Sequence, residues 1–407
     1  MRDATRGIGV LALVAGIAPV LATTAAARPS TALYAAPQGA GASCTAKKPC
    51  RLDAAIARAS AGATVHVARG KYAGGYVIDK KVHLVADGRV VIDASSSPNG
   101  IGIDVVGPGG DGSVVQGFIV EKATYEGILV GTSPSDPKPV PAPVSDVTVR
   151  NNIVVMNNQG RGKPNATGEC KSTPPAPADC GGGIHLIWST GSVVENNIVA
   201  YNSDGILLTD EFGPTDHNVV RNNKTVNNLH ECGIVLAGHN PNGADPTKAG
   251  VFDNLIENNL ARNNGVTTTG AGILIGGGAP GSAVYDNTIR NNTVDRNGHA
   301  GITIHQHVAG NLTGNVIENN TIGTNNSLGD DDFAAAVDMQ TTGILVASGA
   351  PPGPPLPPFL LPSPLDGTVI SGNKISGDAI GIWTLNTPGD FSNNTFGSDV
   401  GTPISSH

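Results

Sequence analysis

The densest group of side chains able to do acid–base chemistry lies between residues 205 and 239. Asp210 and Glu211 follow one apolar strand-like segment, and His239 takes the equivalent place after the next. If these segments are stacked strands about 4.8 Å apart, the carboxylates come within reach of the imidazole. His239 is then a candidate general base, and Asp210 and Glu211 are candidate carboxyls for a hydrolytic pair. We predict these three residues as catalytic.

Other polar side chains fall on the same face or corner of the repeat. Asp216 is as good a partner for Asp210 as Glu211 is, because adjacent residues tend to point apart, although Asp216 and His217 are equally suited to cap a turn. We predict a substrate-binding role for His185, Trp188, Asp216, His217, His305, His307 and Trp383.

Two further groups of residues have the composition of cation sites. Asp330, Asp331 and Asp332 follow a glycine, so they offer oxygen ligands to Ca²⁺ or form a solvated turn. His305 and His307 alternate along one strand, and with His239 they resemble a transition-metal set without a visible fourth ligand. Calcium is the cofactor that the sequence suggests, and neither group establishes one.

A recurring Gly-Ile dipeptide indicates the elements that position these side chains. It begins at residues 102, 127, 183, 205, 233, 272, 301, 343 and 381. The shortest interval suits one turn of about 22 residues made of three short strands, which is typical of a parallel β-helix. Asn pairs recur at one phase of the repeat, beginning at residues 151, 196, 222, 258, 291 and 319. Asn tolerates a left-handed corner, and stacked side-chain amides bond from turn to turn.

Composition and processing signals agree with an exported all-β protein. Charged residues make up 14% and aromatic residues 4% of the chain, which has 55 glycines and a net charge of −8. The charge leaves no basic stripe for nucleic acid. Residues 1–27 read as a secretory signal, and no other segment is long and apolar enough to cross a membrane. We therefore expect a secreted or periplasmic protein that is a monomer.

The cysteines and the first residues of the mature chain predict how the N-terminal end is organised. Cys44 and Cys50, and Cys170 and Cys180, bracket short loops and are candidates for two local disulfides, whereas Cys232 is expected to be a small buried residue. Residues 51–60 place Leu52, Ala55, Ile56 and Ala59 on one helical face, which suits a plug for an open end of the coil. The expected organisation is an N-terminal strand and capping helix at 28–65, a β-helix at 66–398 and a C-terminal tail at 399–407.

Long insertions flank the strands that begin with Gly-Ile. They occupy residues 132–144, 160–181, 239–250, 327–342 and 349–365. Loops of this length usually carry function, so we expect them to wall a groove on that face, although they would also shield strand edges. Strand alternation puts the Ile of each dipeptide inside and the second and fourth residues after the Gly outside. Most of those outward residues are small or apolar, which suits sugar rings.

The chain resembles the secreted bacterial right-handed parallel β-helix proteins of the pectin-lyase-like superfamily, including its NosD-like members. The resemblance covers roughly residues 40–397, and it is carried by the Cys44–Cys50 opening with its capping helix, by ARGKY at 68–72 and by the Gly-Ile and Asn repeat. It implies a three-faced coil whose members include pectate and alginate lyases, uronan epimerases, glycoside hydrolases and non-catalytic envelope proteins. Fold alone does not select among them.

Three functions remain open from the sequence. The first is a carbohydrate-active enzyme that works on a polysaccharide in the groove, either by lyase or epimerase proton abstraction or by glycosidic hydrolysis. The second is a non-catalytic glycan-binding or envelope protein. The third is NosD-like metal maturation, for which three methionines are few. The fragments at 209–211, 215–217 and 237–239 do not match the catalytic signatures of the known enzymes.

Overall fold

The computed structural model describes residues 32–135, 138, 140–171, 180–268, 270–306, 308–329, 340–348, 363–385, 387 and 389–407. The expected signal at residues 1–27 lies outside the described residues. The same is true of four side chains considered above as ligands, namely His307, Asp330, Asp331 and Asp332.

A short strand and one helix close the N-terminal end. The strand Ala32–Ala35 pairs in parallel with Ala63–Ala73, and the helix Leu52–Arg58 lies between them in the chain. The helix buries Leu52, Ala55 and Ile56, the face expected from their spacing. Capping by this helix removes apolar interior from water, as predicted. Cys44 and Cys50 form a disulfide beside it.

The described strands form three sheets in which all named pairings are parallel. The sheet that carries the Gly-Ile dipeptides, here called the site sheet, contains Tyr76–Ile78, Ile103–Val105, Ile128–Val130, Gly182–Ile187, Asp204–Thr209, Ile234–Gly238, Ile273–Gly277, Ile302–Gln306, Thr342–Ser348, Ile380–Leu385 and Thr402–Ser406. A short sheet contains Val144–Ser145, Ser189–Thr190, Thr215–Asp216, Val251–Phe252 and Val284–Tyr285.

The long sheet covers the remaining sides of the coil. Its strands are Ala32–Ala35, Ala63–Ala73, Val82–Asp93, Val114–Glu121, Thr148–Arg150, Ile153–Val155, Val193–Glu195, Ile198–Ala200, Val219–Arg221, Lys224–Val226, Leu255–Glu257, Leu260–Arg262, Thr288–Arg290, Thr293–Asp295, Val316–Glu318, Thr321–Ile322, Val369–Ser371, Lys374–Ile375 and Thr395–Phe396. Two 3₁₀ turns occur at Ala94–Ser96 and Gly168–Cys170.

An isoleucine stack forms the core behind the site sheet. The Ile of each Gly-Ile dipeptide pairs in register with the Ile of the next turn, as with Ile184 to Ile206 and Ile206 to Ile234. These side chains have no exposed surface. β-Branched residues suit such a pleated, fully buried position. The inward orientation predicted from strand alternation is confirmed, and with it the parallel β-helix.

Asparagine ladders hold the corners between sheets. In the predicted ladder each Nδ2 donates to the Oδ1 of the next residue at 2.9–3.1 Å, through Asn152, Asn197, Asn223, Asn259, Asn292, Asn320, Asn373 and Asn394. The preceding Asn of the six pairs has a φ of 55–57°, the left-handed corner. A second ladder, not anticipated, runs through Asn157, Asn202, Asn228, Asn264, Asn297 and Asn325.

Covering segments divide the outer surface of the site sheet. Near its N-terminal end, the disulfide-bonded Cys170 and Cys180 pack with Tyr125, Leu129 and Ile187. Near its C-terminal end, Trp383 is buried in a second apolar cluster, and Thr402–Ser406 adds a last strand within the segment expected to be a tail. The open part of the surface therefore lies between these two ends. Within the described residues, no helix has the length and hydropathy needed to span a membrane.

Candidate functional site

The structure brings Glu211 and His239 together at the C-terminal ends of two neighbouring strands. Asp204–Thr209 pairs with Ile234–Gly238 in the site sheet, with Thr209 opposite Ala237. Beyond the paired residues, His239 Nδ1 lies 2.7 Å from Glu211 Oε1. Their side chains are 34% and 23% exposed, so the pair stands at the protein surface but is shielded from bulk water. A carboxylate in this position orients the imidazole.

A chain of hydrogen bonds connects this pair to the interior. Thr209 Oγ1 donates to Glu211 Oε2. On its other side Thr209 contacts His185 Nε2 at 2.8 Å, and His185 Nδ1 lies 3.2 Å from Glu126 Oε1. Sequence reasoning did not single out Glu126. Its position immediately before a Gly-Ile dipeptide is the signal that places it at the edge of the site sheet.

The electrostatic surroundings keep Glu211 ionised. Burial opposes its charge, but the hydrogen bond and charge of His239, with smaller contributions from His185 and Thr209, lower its pKa to about 2. An ionised Glu211 can only accept, so His239 Nδ1 is the donor. Neutral His239 then carries its lone pair on Nε2, the ring atom suited to take a proton.

Asp210, next in the chain, has different contacts. Its carboxylate accepts three backbone hydrogen bonds, from the N–H groups of His239 at 2.6 Å, Asn240 at 3.0 Å and Gly250 at 2.8 Å. The side chain is fully buried. Burial raises the pKa of Asp210, and the three N–H donors oppose that rise. Asp210 thus fixes both ends of the loop 239–250 and is not among the residues that line the adjacent cavity.

A cavity of about 270 Å³ lies on the site sheet beside His239. Its floor is apolar, from Leu207, Val235 and Leu274, which occupy the same register on three successive strands. Polar side chains stand at the two ends of these strands. His239, Thr209 and His305 line one end, and Asp204, Glu231 and Cys232 line the other. The cavity therefore has an apolar floor with acid–base groups at its rim.

Glycines keep the space between the two histidines of the cavity open. Gly276, Gly277 and Gly278 lie along the rim between His239 and His305. A Cβ added at Gly278 would lie 3.7 Å from His239 Cδ2, an ordinary contact, so a side chain there would project beside the imidazole. His305 is 8% exposed, and its Nδ1 lies 2.9 Å from Thr303 Oγ1.

The remaining predicted residues are distributed elsewhere. His185 is buried, and Trp188 packs at the edge of the apolar cluster that contains Cys170 and Cys180. His217 Nδ1 lies 2.6 Å from Asp216 Oδ1 at the short sheet, outside the cavity lining. Trp383 is 3% exposed and stacks on His407. Their roles in binding stay predictions.

The two predicted disulfides are present, and Cys232 is buried outside both of them. Cys170 pairs with Cys180 and Cys44 with Cys50. Cys232 Sγ accepts a hydrogen bond from the backbone N–H of Ala271 at 3.2 Å, consistent with the structural role expected for it. Cys232 also lines the cavity at the end where Asp204 and Glu231 lie, which the sequence did not predict.

Comparisons with known proteins concern the fold. A family model described as the right-handed β-helix region matches residues 177–289. No curated protein matches the chain by sequence. Among solved structures, the Dettilon tailspike protein is 16% identical over 92% of this chain and 68% of that one, with a TM-score of 0.51. A mutant tailspike protein of E. coli bacteriophage HK620 is 13% identical over 83% and 60%, with a TM-score of 0.50.

An enzyme structure is similar at the same level. The A-module of a mannuronan C-5 epimerase from Azotobacter vinelandii is 19% identical over 85% of this chain and 91% of that one, with a TM-score of 0.49. At such identities the likeness is one of architecture. Together with the repeat and the N-terminal cap, the family-model match and the Dettilon tailspike structure identify the fold of the chain as a right-handed parallel β-helix.

Proposed function

We propose that this chain is a secreted protein that acts on a polysaccharide, with His239 as the general base. The observation that carries the proposal is the Glu211–His239 pair at the rim of an apolar cavity on the outer surface of the coil. In the proposed complex, sugar rings lie on Leu207, Val235 and Leu274. Apolar ring faces of sugars suit such a floor, and the rim supplies the acid–base chemistry.

The ionisation of Glu211 and the hydrogen bonds of Asp210 favour proton abstraction over glycosidic hydrolysis. Hydrolysis needs one protonated and one ionised carboxyl on either side of the bond. Glu211 is ionised, with a pKa of about 2, and both oxygens of Asp210 accept backbone N–H groups. Neither residue suits the general acid. His239 Nε2 suits the base, because Glu211 fixes the ring and stabilises the imidazolium that forms.

In the proposed step, His239 Nε2 takes the proton from C5 of a uronate ring, and the electron pair is delocalised onto the ring's carboxylate. In elimination the pair then forms the C4–C5 double bond as the C4–O4 bond breaks, and the leaving O4 takes a proton from water. In epimerisation water gives a proton to the opposite face of C5. In both reactions the His239 imidazolium returns its proton to solvent. His305, across the glycine rim, is the candidate hydrogen-bond donor to the substrate carboxylate.

The first experiment tests turnover of uronate polysaccharides by the full chain. Unsaturated products are followed by ultraviolet absorbance, reducing ends by a colour reaction, and epimerisation by deuterium uptake from heavy water. We expect His239→Ala to lower the rate about 10²–10⁴-fold. His66→Ala is the matched control, since His66 also pairs with a carboxylate, Asp87, at 3.2 Å, but far from the cavity lining. New reducing ends without unsaturation would contradict the proposal.

A second experiment fills the cavity and leaves the catalytic pair intact. Gly278→Leu should raise KM at least about tenfold, because its side chain would occupy the space beside His239. Gly278→Ala, with only an ordinary contact, should have a smaller effect. Equal kinetics for both variants and wild type would place the substrate elsewhere.

A non-catalytic glycan-binding role is the second candidate. The contacts of Asp210 favour it, since three backbone hydrogen bonds are what a structural turn residue makes. The turnover assay, combined with glycan binding, distinguishes this role from catalysis. Glycan binding that persists in His239→Ala, with turnover absent from the wild type on every polysaccharide, would support this candidate and exclude the first.

A further inference from the structure

A buried group of ligand-type side chains lies near the Cys170–Cys180 disulfide, apart from the cavity. Glu126 precedes the strand Ile128–Val130, Glu169 immediately precedes Cys170, and His185 lies in Gly182–Ile187. One ligand atom from each lies within 4.8 Å of the others. Glu126 is fully buried, His185 is 2% exposed, and Glu169 is partly exposed. Three separate chain segments therefore bring two carboxylates and one imidazole to a single point.

Hydrogen-bond direction fixes which atom His185 presents to the carboxylates. Glu211 is ionised and only accepts, so the single hydroxyl proton of Thr209 goes to Glu211 Oε2. Thr209 Oγ1 must then accept from His185 Nε2–H, which lies 2.8 Å away. In neutral His185 the lone pair is consequently on Nδ1. That lone pair faces Glu126 Oε1 at 3.2 Å.

In this tautomer His185 Nδ1 and the carboxylates of Glu126 and Glu169 present lone pairs to one point, which is how protein side chains hold a cation. A Cβ built at Gly181, which has a φ of 70°, would lie 2.7 Å from Glu126 Oε1 and 2.9 Å from Glu169 Oε2. A glycine suits this position, because its φ is in the left-handed region and it leaves the two carboxylates uncrowded.

The spacing fits a coordination shell. With metal–ligand bonds of about 2.0–2.2 Å, two ligand atoms of a tetrahedral shell are about 3.3 Å apart. The Nδ1–Oε1 separation of 3.2 Å agrees with this. The other ring nitrogen donates to Thr209, which is the orienting contact that metal-bound histidines usually make.

We propose that Glu126, Glu169 and His185 bind one zinc ion. An imidazole nitrogen with two carboxylate oxygens suits Zn²⁺, whereas Ca²⁺ and Mg²⁺ prefer oxygen alone. The ion joins the segment that ends at Cys170 to the site sheet. Its hydrogen-bonded path through Thr209 ends at Glu211, but the proposal is independent of the function of His239.

Zinc binding by the full chain tests the proposal. After chelator treatment and dialysis, titration calorimetry with Zn²⁺ should show one saturable site, and Ca²⁺ at equal concentration should not fill it. Glu169→Gln should weaken the binding at least about tenfold, since it removes a ligand charge at a partly exposed position. Cobalt substitution should give a visible absorption band that is lost in His185→Ala.

The control for zinc binding is a histidine elsewhere in the chain that also contacts a carboxylate. His66→Ala removes a histidine paired with a carboxylate elsewhere and should leave the zinc affinity unchanged. Circular dichroism checks that each variant is folded. If His185→Ala does not fold, the Glu169→Gln variant still tests the proposal. Absence of saturable zinc binding, or equal affinity in Glu169→Gln and wild type, would overturn the proposal. Preferential filling by Ca²⁺ would overturn the assignment of His185 as a ligand.

Discussion

Adjacent carboxyl groups at the candidate site are in contrasting environments because the strand ends there. Asp204–Thr209 is regular up to Thr209, after which the chain turns. Asp210 turns toward the loop that begins at His239 and binds its backbone, while Glu211 meets the imidazole itself. The loop is thus positioned by one residue and its histidine is oriented by the next. Removal of either should disturb His239, Asp210 through the backbone of the loop and Glu211 through the imidazole itself.

Acid stability tests the Glu211–His239 pair. The pKa of Glu211 is lowered from 4.5 to about 2 in the folded chain, so its contribution to the free energy of unfolding is complete above pH 4.5 and lost as the pH falls toward 2. Glu211→Gln should cost about 2 kcal/mol at pH 6 and much less at pH 2.5. Urea unfolding at the two pH values measures this. Glu195→Gln, which removes a partner of Arg221 on the long sheet, is the control. A loss that is the same at both pH values would contradict the pairing.

Asparagine ladders are the elements that keep successive turns in register, and one of them ends in a carboxyl. The ladder through Asn297 and Asn325 continues to Asp378, whose Oδ1 accepts from the backbone N–H of Asn325 at 2.8 Å. Within the described residues its Oδ2 is buried without a hydrogen-bond partner. An asparagine at this position would have Nδ2 in place of Oδ2, and Nδ2 is a donor in the rest of the ladder. The carboxylate is therefore the weak point of this element.

Asp378→Asn should stabilise the protein at neutral and alkaline pH. Burial raises the pKa of Asp378 to about 8, against the N–H of Asn325 that lowers it, with Asp295 and Asp399 adding to the rise. Because the folded chain holds this proton more tightly than the unfolded chain, wild-type stability falls as the pH rises from about 4 to about 8. The variant should gain about 1–3 kcal/mol at pH 8 and little at pH 4, measured by urea unfolding. Asp390→Asn, at an exposed turn, should gain nothing comparable. Lower stability of Asp378→Asn at pH 8 would contradict this account.

The regular repeat could be predicted from the sequence, whereas the contacts made by loops and strand ends could not. Regular repetition predicted the isoleucine stack and one Asn ladder, because strand alternation and corner geometry are local. The approach of Glu169 to Glu126 and His185 depends on an inserted segment, and nothing periodic in residues 160–171 indicates where it lies. The contrast between Asp210 and Glu211 arises after Thr209, where alternation stops. Loops and strand ends are therefore where sequence reasoning failed.

At the scale of the whole molecule, each turn of the coil contacts mainly its two neighbours, so the ends need separate protection. The helix Leu52–Arg58 protects one end. At the other end the strand Thr402–Ser406 pairs with Ile380–Leu385 and covers its side chains. In such a solenoid, damage at one end propagates weakly to distant turns. The cavity, whose lining runs from Asp204 to His305, should therefore tolerate changes at the C-terminus.

Removal of residues 399–407 tests this independence. The chain has two tryptophans, and Trp383 is 3% exposed, opposite Ser405 and stacked on His407 at 5.1 Å. Truncation should expose Trp383, shift its fluorescence to the red and speed hydrogen exchange in the strand Ile380–Leu385, since both its edge pairing and its cover are lost. His407→Ala, which removes only the stacked ring, should shift the emission less. Ligand binding or turnover at the His239 cavity should persist in the truncated chain, because the strands Ile273–Gly277, Ile302–Gln306 and Thr342–Ser348 lie between His239 and the new end strand. Loss of this binding or turnover would mean that the coil unfolds as one cooperative unit rather than turn by turn.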